Sequence, residues 1–256
     1  MKVEQSSEQE REHRKPRIAI PVPTSANDQY NDRCWPQYAA AVEAVGGEPI
    51  RVPLGLTPAD TANLVSGCSG ILLPGSPADV HPQKYGQEAR PETADPDPAR
   101  EATDELLLQD AFHLRKPLLC ICFGLQMMNV WRGGTLIQHL KTSHPHNPTA
   151  DEAPLEHILE VQADAPLLRS FFLDREDPRI NSSHHQAIDK PGDGLTIAAR
   201  SKGDGTIEAL EGMGPKEQFL LGVQWHPERS YQTDEPSREI FTSFIAAAHR
   251  WHLPHE

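Results

Sequence analysis

With 24 Lys and Arg against 37 Asp and Glu in 256 residues, the chain carries a formal charge of −13 at pH 7. Nucleic acids and anionic membranes are held by clustered positive charge, so neither is expected as a partner. A chain of this length, 37% hydrophobic, suffices for one large α/β domain with a full core. The densest apolar run, Pro117 to Leu125, is far short of the ~18 residues a membrane helix needs. Four cysteines with no C-x-x-C pair make neither a disulfide framework nor a zinc ribbon, which fits a reducing compartment, the cytoplasm.

The first 16 residues alternate charges without an apolar stretch and are expected to form a solvated tail, leaving 17–256 as a single domain. Arg17–Pro23 reads as a buried first strand, β-branched and stopped by prolines. A helix is expected from about Asp32 to Val45, ended by Gly46-Gly47, and a strand over Glu48–Val52. Thr57-Pro58-Ala59-Asp60 opens a further helix: Thr57 can cap, Pro58 suits the first helical position, and Asp60 complements the dipole. Strand Gly70–Leu73 ends in Pro74-Gly75-Ser76-Pro77. A Pro/Asp-rich loop, Arg90–Arg100, leads to helix Pro98–Leu114, strand Pro117–Ile121 and helix Phe123–Trp131. Strands alternating with helices imply βαβ units and a mostly parallel sheet, whose active sites gather at the carboxyl ends of strands. The second half changes to short strands, Leu155–Val161, Leu195–Ser201, Thr206–Leu210 and Gln218–Gln224, followed by a C-terminal helix from about Pro236 to His249.

The chemistry concentrates in Leu118-Leu119-Cys120-Ile121-Cys122-Phe123-Gly124-Leu125-Gln126, where a buried strand runs directly into a helix with a cysteine at the turn. This is the cysteine counterpart of a nucleophile elbow, whose tight corner demands small neighbours such as Gly124. Unpaired N–H groups at the helix start favour a thiolate, and the Phe123 N–H would face a developing oxyanion. A cysteine nucleophile needs a base and an orienting group. Gly222-Val223-Gln224-Trp225-His226-Pro227-Glu228 offers both, since residues two apart in an extended segment share a side and Glu228 can fix the His226 ring. Gly75, just past a strand, can bring a second backbone donor close to a substrate carbonyl. The histidines at His144-Pro145-His146 and His184-His185 invite a metal, but strand neighbours point apart and no acidic residue stands at usual ligand spacing. No metal and no cofactor is therefore expected.

Together these elements resemble the class I glutamine amidotransferase-like superfamily, and within it the gamma-glutamyl hydrolases. The matching stretches are LLPGSPADVHPQKYG (72–86), DPDPAREATDE (95–105), PLLCICFGLQMMNVWRGGTL (117–136), INSSHHQAI (180–188) and GVQWHPE (222–228). The resemblance implies a flavodoxin-like fold, a mostly parallel central sheet flanked by helices with an additional small antiparallel sheet. It implies Cys122 as nucleophile, His226 as base and Glu228 as orienter. It also implies an oxyanion and substrate site at Gly75, Ser76, Phe123, Gln126, Ser183 and His184. The implied substrate is a small gamma-glutamyl amide such as gamma-glutamyl-gamma-aminobutyrate, cleaved through a thioester in polyamine catabolism, and a homodimer is compatible with it. A glutaminase subunit serving a separate synthetase and a folate poly-gamma-glutamate hydrolase are the alternative activities. Phe123 stands where the gamma-aminobutyrate hydrolases often carry Arg, which directs attention to the leaving-group side of the pocket.

Overall fold

The structure, a computed structural model, describes residues 15–142, 146–147, 155–173, 175–213 and 218–251. The expected tail lies almost wholly outside the described residues, as do His144 and Pro145. Strands β1 (Arg17–Pro21), β2 (Glu48–Val52), β3 (Gly70–Leu73), β4 (Leu118–Ile121) and β11 (Leu220–Val223) pair in parallel in the order β2-β1-β3-β4-β11. The other side of β11 continues antiparallel through β10 (Ile207–Gly212), β9 (Leu195–Ser201), β6 (Leu155–Val161) and β7 (Arg179–Ser182). Strand β8 (Ala187–Lys190) pairs with β10 and with the short β5 (Thr135–Ile137). The fold is the expected one, with its antiparallel strands extending the parallel sheet.

Alternation along the central strands explains the layering. Ile18, Ile20, Leu72, Leu119 and Ile121 enter one buried cluster, shared with helices α1 (Asp28–Ala44) and α6 (Glu235–Arg250). Their neighbours Ala19, Ile71, Leu73, Leu118 and Cys120 enter another, shared with α2 (Pro58–Val65), α3 (Pro98–Leu114) and α4 (Phe123–Trp131). A strand buried on both faces reads as a continuous apolar run, as β3 and β4 do. Each fully buried Leu, Ile or Phe adds roughly 1.5–3 kcal/mol of transfer free energy. The second cluster also holds Cys120, whose sulfur lies 3.7 Å from Met128 Sδ and whose thiol is pushed up by burial. Cys120 is therefore an apolar core residue.

Three caps fit the local sequence. Thr57 Oγ1 accepts from Asp60 N, as expected, and Asp97 caps α3 by accepting from Arg100 N. Helix α1 begins at Asp28, four residues earlier than expected, because Asn27 caps it by accepting from Tyr30 N. The short β5, β7 and β8 and the one-turn helix α5 (Pro166–Ser170) add to the expected elements. The sheet order β3-β4-β11 places the loops after these strands side by side at the carboxyl edge of the parallel strands.

Candidate active site

Cys122 sits between β4 and α4 with φ 52° and ψ −106°, a left-handed conformation that costs a non-glycine residue of order 1–3 kcal/mol. Sheet and helix hold it there: its N–H donates to Val223 O of β11 at 2.8 Å, and its carbonyl accepts the first helical bond of α4, from Gln126 N at 3.1 Å. The turn is tight enough that a Cβ on Gly124 would lie 2.3 Å from Leu73 O. Such a corner lifts the cysteine out of the strand and aims the free first-turn N–H groups of α4 past it.

His226 follows β11. Its Nδ1 lies 2.7 Å from Glu228 Oε1, and its ring also hydrogen-bonds the Cys122 side chain. Burial alone would lower the imidazole, but Glu228 and Cys122 outweigh it and push it up to about 9. His226 is thus a cation at neutral pH, facing the Cys122 sulfur. Its backbone is clamped by Asn181, which accepts from His226 N at 3.0 Å and donates to His226 O at 2.9 Å. Gln224 Nε2 donates to Cys122 Sγ at 3.4 Å, and Gln126 Nε2 donates to Gln224 Oε1 at 3.2 Å. Gln224 is a site residue that the sequence reading misses, although the same two-residue spacing that points from His226 forward to Glu228 points backward to it.

The loop after β3 lies over the nucleophile. A Cβ on Gly75 would come 3.1 Å from His226 Cε1 and 3.7 Å from Cys122 Cβ. The Gly75 N–H itself donates to Tyr38 Oη at 3.1 Å, so the expected donor is occupied by a hydroxyl from α1. Ser76, next along, borders the cavity, and its Oγ accepts from Ala78 N. The loop is fixed from beneath by Arg100, a fully buried guanidinium that donates to Pro74 O (2.6 Å), Gly75 O (3.3 Å) and Pro23 O (2.8 Å). Arg100 is paired at 2.8 Å with the equally buried Asp104, one helical turn away.

A cavity of about 240 Å³ opens over Cys122 and His226. Ser76, Phe123, Gln126, Ser183 and His184 all border it, so the structure gathers these expected residues around the sulfur; Tyr30, Asp79, His185 and Arg229 complete much of the wall. Phe123, however, is only 1% exposed, with its ring stacked 4.9 Å from the Arg100 guanidinium carbon. The expected influence on the leaving-group side has little side-chain surface to act through. His185 Nε2 meets Asp79 Oδ1 at 3.0 Å, and that bond raises its pKa. A second cavity of about 360 Å³, between Leu159, Val161, Phe172 and Leu173, is lined by none of these groups.

Behind the cavity wall, His184 packs with His146, His157 and Glu208. Burial pushes the His184 ring down to about 4, against the pull of Glu208, and keeps it neutral. Burial would raise Glu208, but the neighbouring His146, His157 and His184 rings outweigh it and hold the carboxyl down at about 2. No acid stands at ligand spacing from these histidines along the chain, but the fold supplies two: Glu208 reaches them from β10 and Asp204 from the turn before it. Among the described residues, no helix is long and apolar enough to cross a membrane.

The geometry agrees with the relatives of the chain. A glutamine amidotransferase-like protein of Lactococcus lactis, YvdE, is 38% identical over 179 residues, 68% of this chain and 72% of that one. The gamma-glutamyl-gamma-aminobutyrate hydrolase PuuD of Escherichia coli K12 is 32% identical over 220 residues, covering 82% and 84%. A crystal structure from Thermoplasma acidophilum, described as that of a GMP synthase subunit, superposes with a TM-score of 0.59. At 15% identity, over 92% of this chain and 95% of its own, that likeness speaks to fold alone. The peptidase C26 profile matches residues 19–228. The elbow, the loops around it and the relatives converge: the chain belongs to the peptidase C26 family, with a class I glutamine amidotransferase-like fold.

Proposed function

We propose that the protein hydrolyses gamma-glutamyl amides of small amines, with Cys122, His226 and Glu228 as its catalytic residues. The observation that carries this reading is the cationic His226, held by Glu228 at 2.7 Å and hydrogen-bonded to a cysteine on a strained elbow in a cavity. Cys122 sulfur attacks the side-chain carbonyl carbon of the glutamyl group, and the carbonyl π pair moves to oxygen. The Phe123 N–H stabilises that oxyanion, joined by the Gly75 N–H once it exchanges Tyr38 Oη for the substrate oxygen. As the tetrahedral carbon collapses, the C–N bond breaks and His226 gives its proton to the departing amine, leaving a gamma-glutamyl thioester. Neutral His226 then takes a proton from water, whose oxygen adds to the thioester. Glutamate leaves, and Cys122 and the protonated His226 are restored as they began. Gln224, donating to the sulfur, keeps Cys122 aimed between these states.

The cavity suits a zwitterionic amino-acid head. Arg229 is half-exposed at its rim and can meet the α-carboxylate that every gamma-glutamyl substrate carries, while Asp79 can meet the ammonium. About 240 Å³ accommodates a dipeptide-sized substrate more readily than a folate polyglutamate. The test is glutamate release from gamma-glutamyl-gamma-aminobutyrate, other gamma-glutamyl amines, glutamine and a folate polyglutamate, with Cys122→Ala as control. The expected result is preference for a gamma-glutamyl amine and no release by the variant. Release from glutamine alone, stimulated by a synthetase, would transfer the protein to the glutaminase class. Turnover that survives in Cys122→Ala would remove the mechanism.

A further inference from the structure

Behind the wall of the active-site cavity, two buried imidazoles and a buried carboxylate converge on one another. His184 Nδ1 lies 2.8 Å from the Gln186 carbonyl, an acceptor only, so Nδ1 carries the hydrogen and Nε2 presents a lone pair. His146 Nε2 lies 2.9 Å from Asp204 Oδ2 and donates there, so in the neutral ring Nδ1 presents its lone pair. These two lone-pair nitrogens face each other at 3.2 Å. Glu208 stands beside both, Oε1 at 3.4 Å from His146 Nδ1 and Oε2 at 3.7 Å from His184 Nε2. His157 Nδ1 meets Oε1 at 3.3 Å, whereas Oε2 is fully buried with no hydrogen-bond partner. A buried carboxylate oxygen and two ring nitrogens turned on one another repel unless something positive lies among them.

We propose that His146, His184 and Glu208 bind a divalent transition-metal ion, zinc by preference, that fastens the wall of the active-site cavity. Two ligands about 2.05 Å from a tetrahedral ion lie roughly 3.3 Å apart; the two ring nitrogens stand 3.2 Å apart, Glu208 brings one oxygen to 3.4 Å of His146 and the other to 3.7 Å of His184, and one ligand atom from each residue lies within 4.8 Å of the others, so a small closure of the carboxylate completes the set. Two imidazoles and one carboxylate are a donor set for such an ion. The surroundings complete the pattern of a metal centre: Asp204 orients His146 and the Gln186 carbonyl orients His184, each through the ring N–H opposite the ligating nitrogen. The ligands come from separate stretches. His184 lies in the loop after β7 that borders the cavity, His146 precedes Asn147 on the same wall, and Glu208 belongs to the rigid sheet. An ion here ties two loops to β10, whichever amide the enzyme cleaves.

Metal content measured by mass spectrometry on the purified full chain, before and after chelator dialysis, tests this. About one zinc per chain is expected, lost on dialysis and restored by Zn²⁺ alone, with the melting temperature falling and recovering in step. Co²⁺ substitution should give the visible absorption of a four-coordinate site. Glu208→Gln and His146→Gln should each weaken zinc affinity about tenfold or more, and Asp204→Asn, which only orients a ligand, by about 10–100-fold without changing the cobalt spectrum. The exposed His249→Gln should bind as the parent does. If the gap is filled by a proton on His146 instead, the parent will hold no zinc after Zn²⁺ loading, and neither its melting temperature nor a cobalt spectrum will respond. That result overturns the proposal even if one of the variants fails to fold.

Discussion

Replacing Arg100 by methionine removes a guanidinium that reaches three backbone carbonyls and one carboxylate in the interior. Methionine keeps much of the aliphatic stem but leaves Pro74 O and Pro23 O without a donor and Asp104 without its counter-ion. Burial already pushes the Asp104 carboxyl up against the pull of Arg100, and its Oδ2 has no partner, so the carboxylate has no second means of compensation. Breaking a buried pair of this kind costs about 3–5 kcal/mol. At about 2–4 °C per kcal/mol for a chain of this size, the melting temperature should fall by roughly 6–20 °C. The double variant Arg100→Met/Asp104→Leu should recover part of that loss, since it leaves no unpaired charge. Function should suffer beyond stability, because Pro74 and Gly75 shape the loop over Cys122. With the folded fraction held near one, kcat should fall by up to about 10²–10³, the worth of one oxyanion donor, while KM changes little. Differential scanning calorimetry and steady-state glutamate release measure the two effects. A melting shift under about 2 °C with unaltered kcat would refute the argument, showing that the loop holds its shape without Arg100.

Two further outcomes follow from the site. Because the imidazole of His226 is raised to about 9, its contribution to stability is complete below about pH 6.5 and is lost as pH rises through about 9. Acylation, which needs that proton, should decline over the same range, and Glu228→Gln should move the falling limb of the kcat/KM profile to lower pH; an unmoved limb would mean that Glu228 does not set the charge of His226. Gly124→Ala places a methyl 2.3 Å from a backbone oxygen, so the melting temperature should fall by roughly 2–12 °C, the equivalent of about 1–3 kcal/mol of overpacking, with activity lost as the elbow shifts. Unchanged melting and turnover would show that the turn has slack.

What is legible in the sequence is whatever the chemistry writes locally. The elbow needs a strand, a cysteine and a glycine within a few residues, and the pair His226 and Glu228 is set by one period of extended chain, so both are visible before any folding. The groups that hold them are not. Arg100 lies 25 residues from Gly75, Asn181 lies 45 from His226, and Gln224 lies 102 from the sulfur it meets. Nothing in spacing announces such pairings, because sheet order and not chain order decides them. The histidines show the same limit from the other side. Judged along the chain, His184 and His185 diverge and have no acid nearby, and that much is true: one faces Glu208 and the other Asp79. The acid arrives because β10 runs alongside β8 and carries Glu208 into the layer of His146, His157 and His184. Four polar side chains buried in one layer carry a desolvation cost that apolar residues of equal volume would avoid. Two ring nitrogens 3.2 Å apart and a partnerless carboxylate oxygen beside them are what a cation would draw together, and they lie against the wall of the cavity that holds the nucleophile.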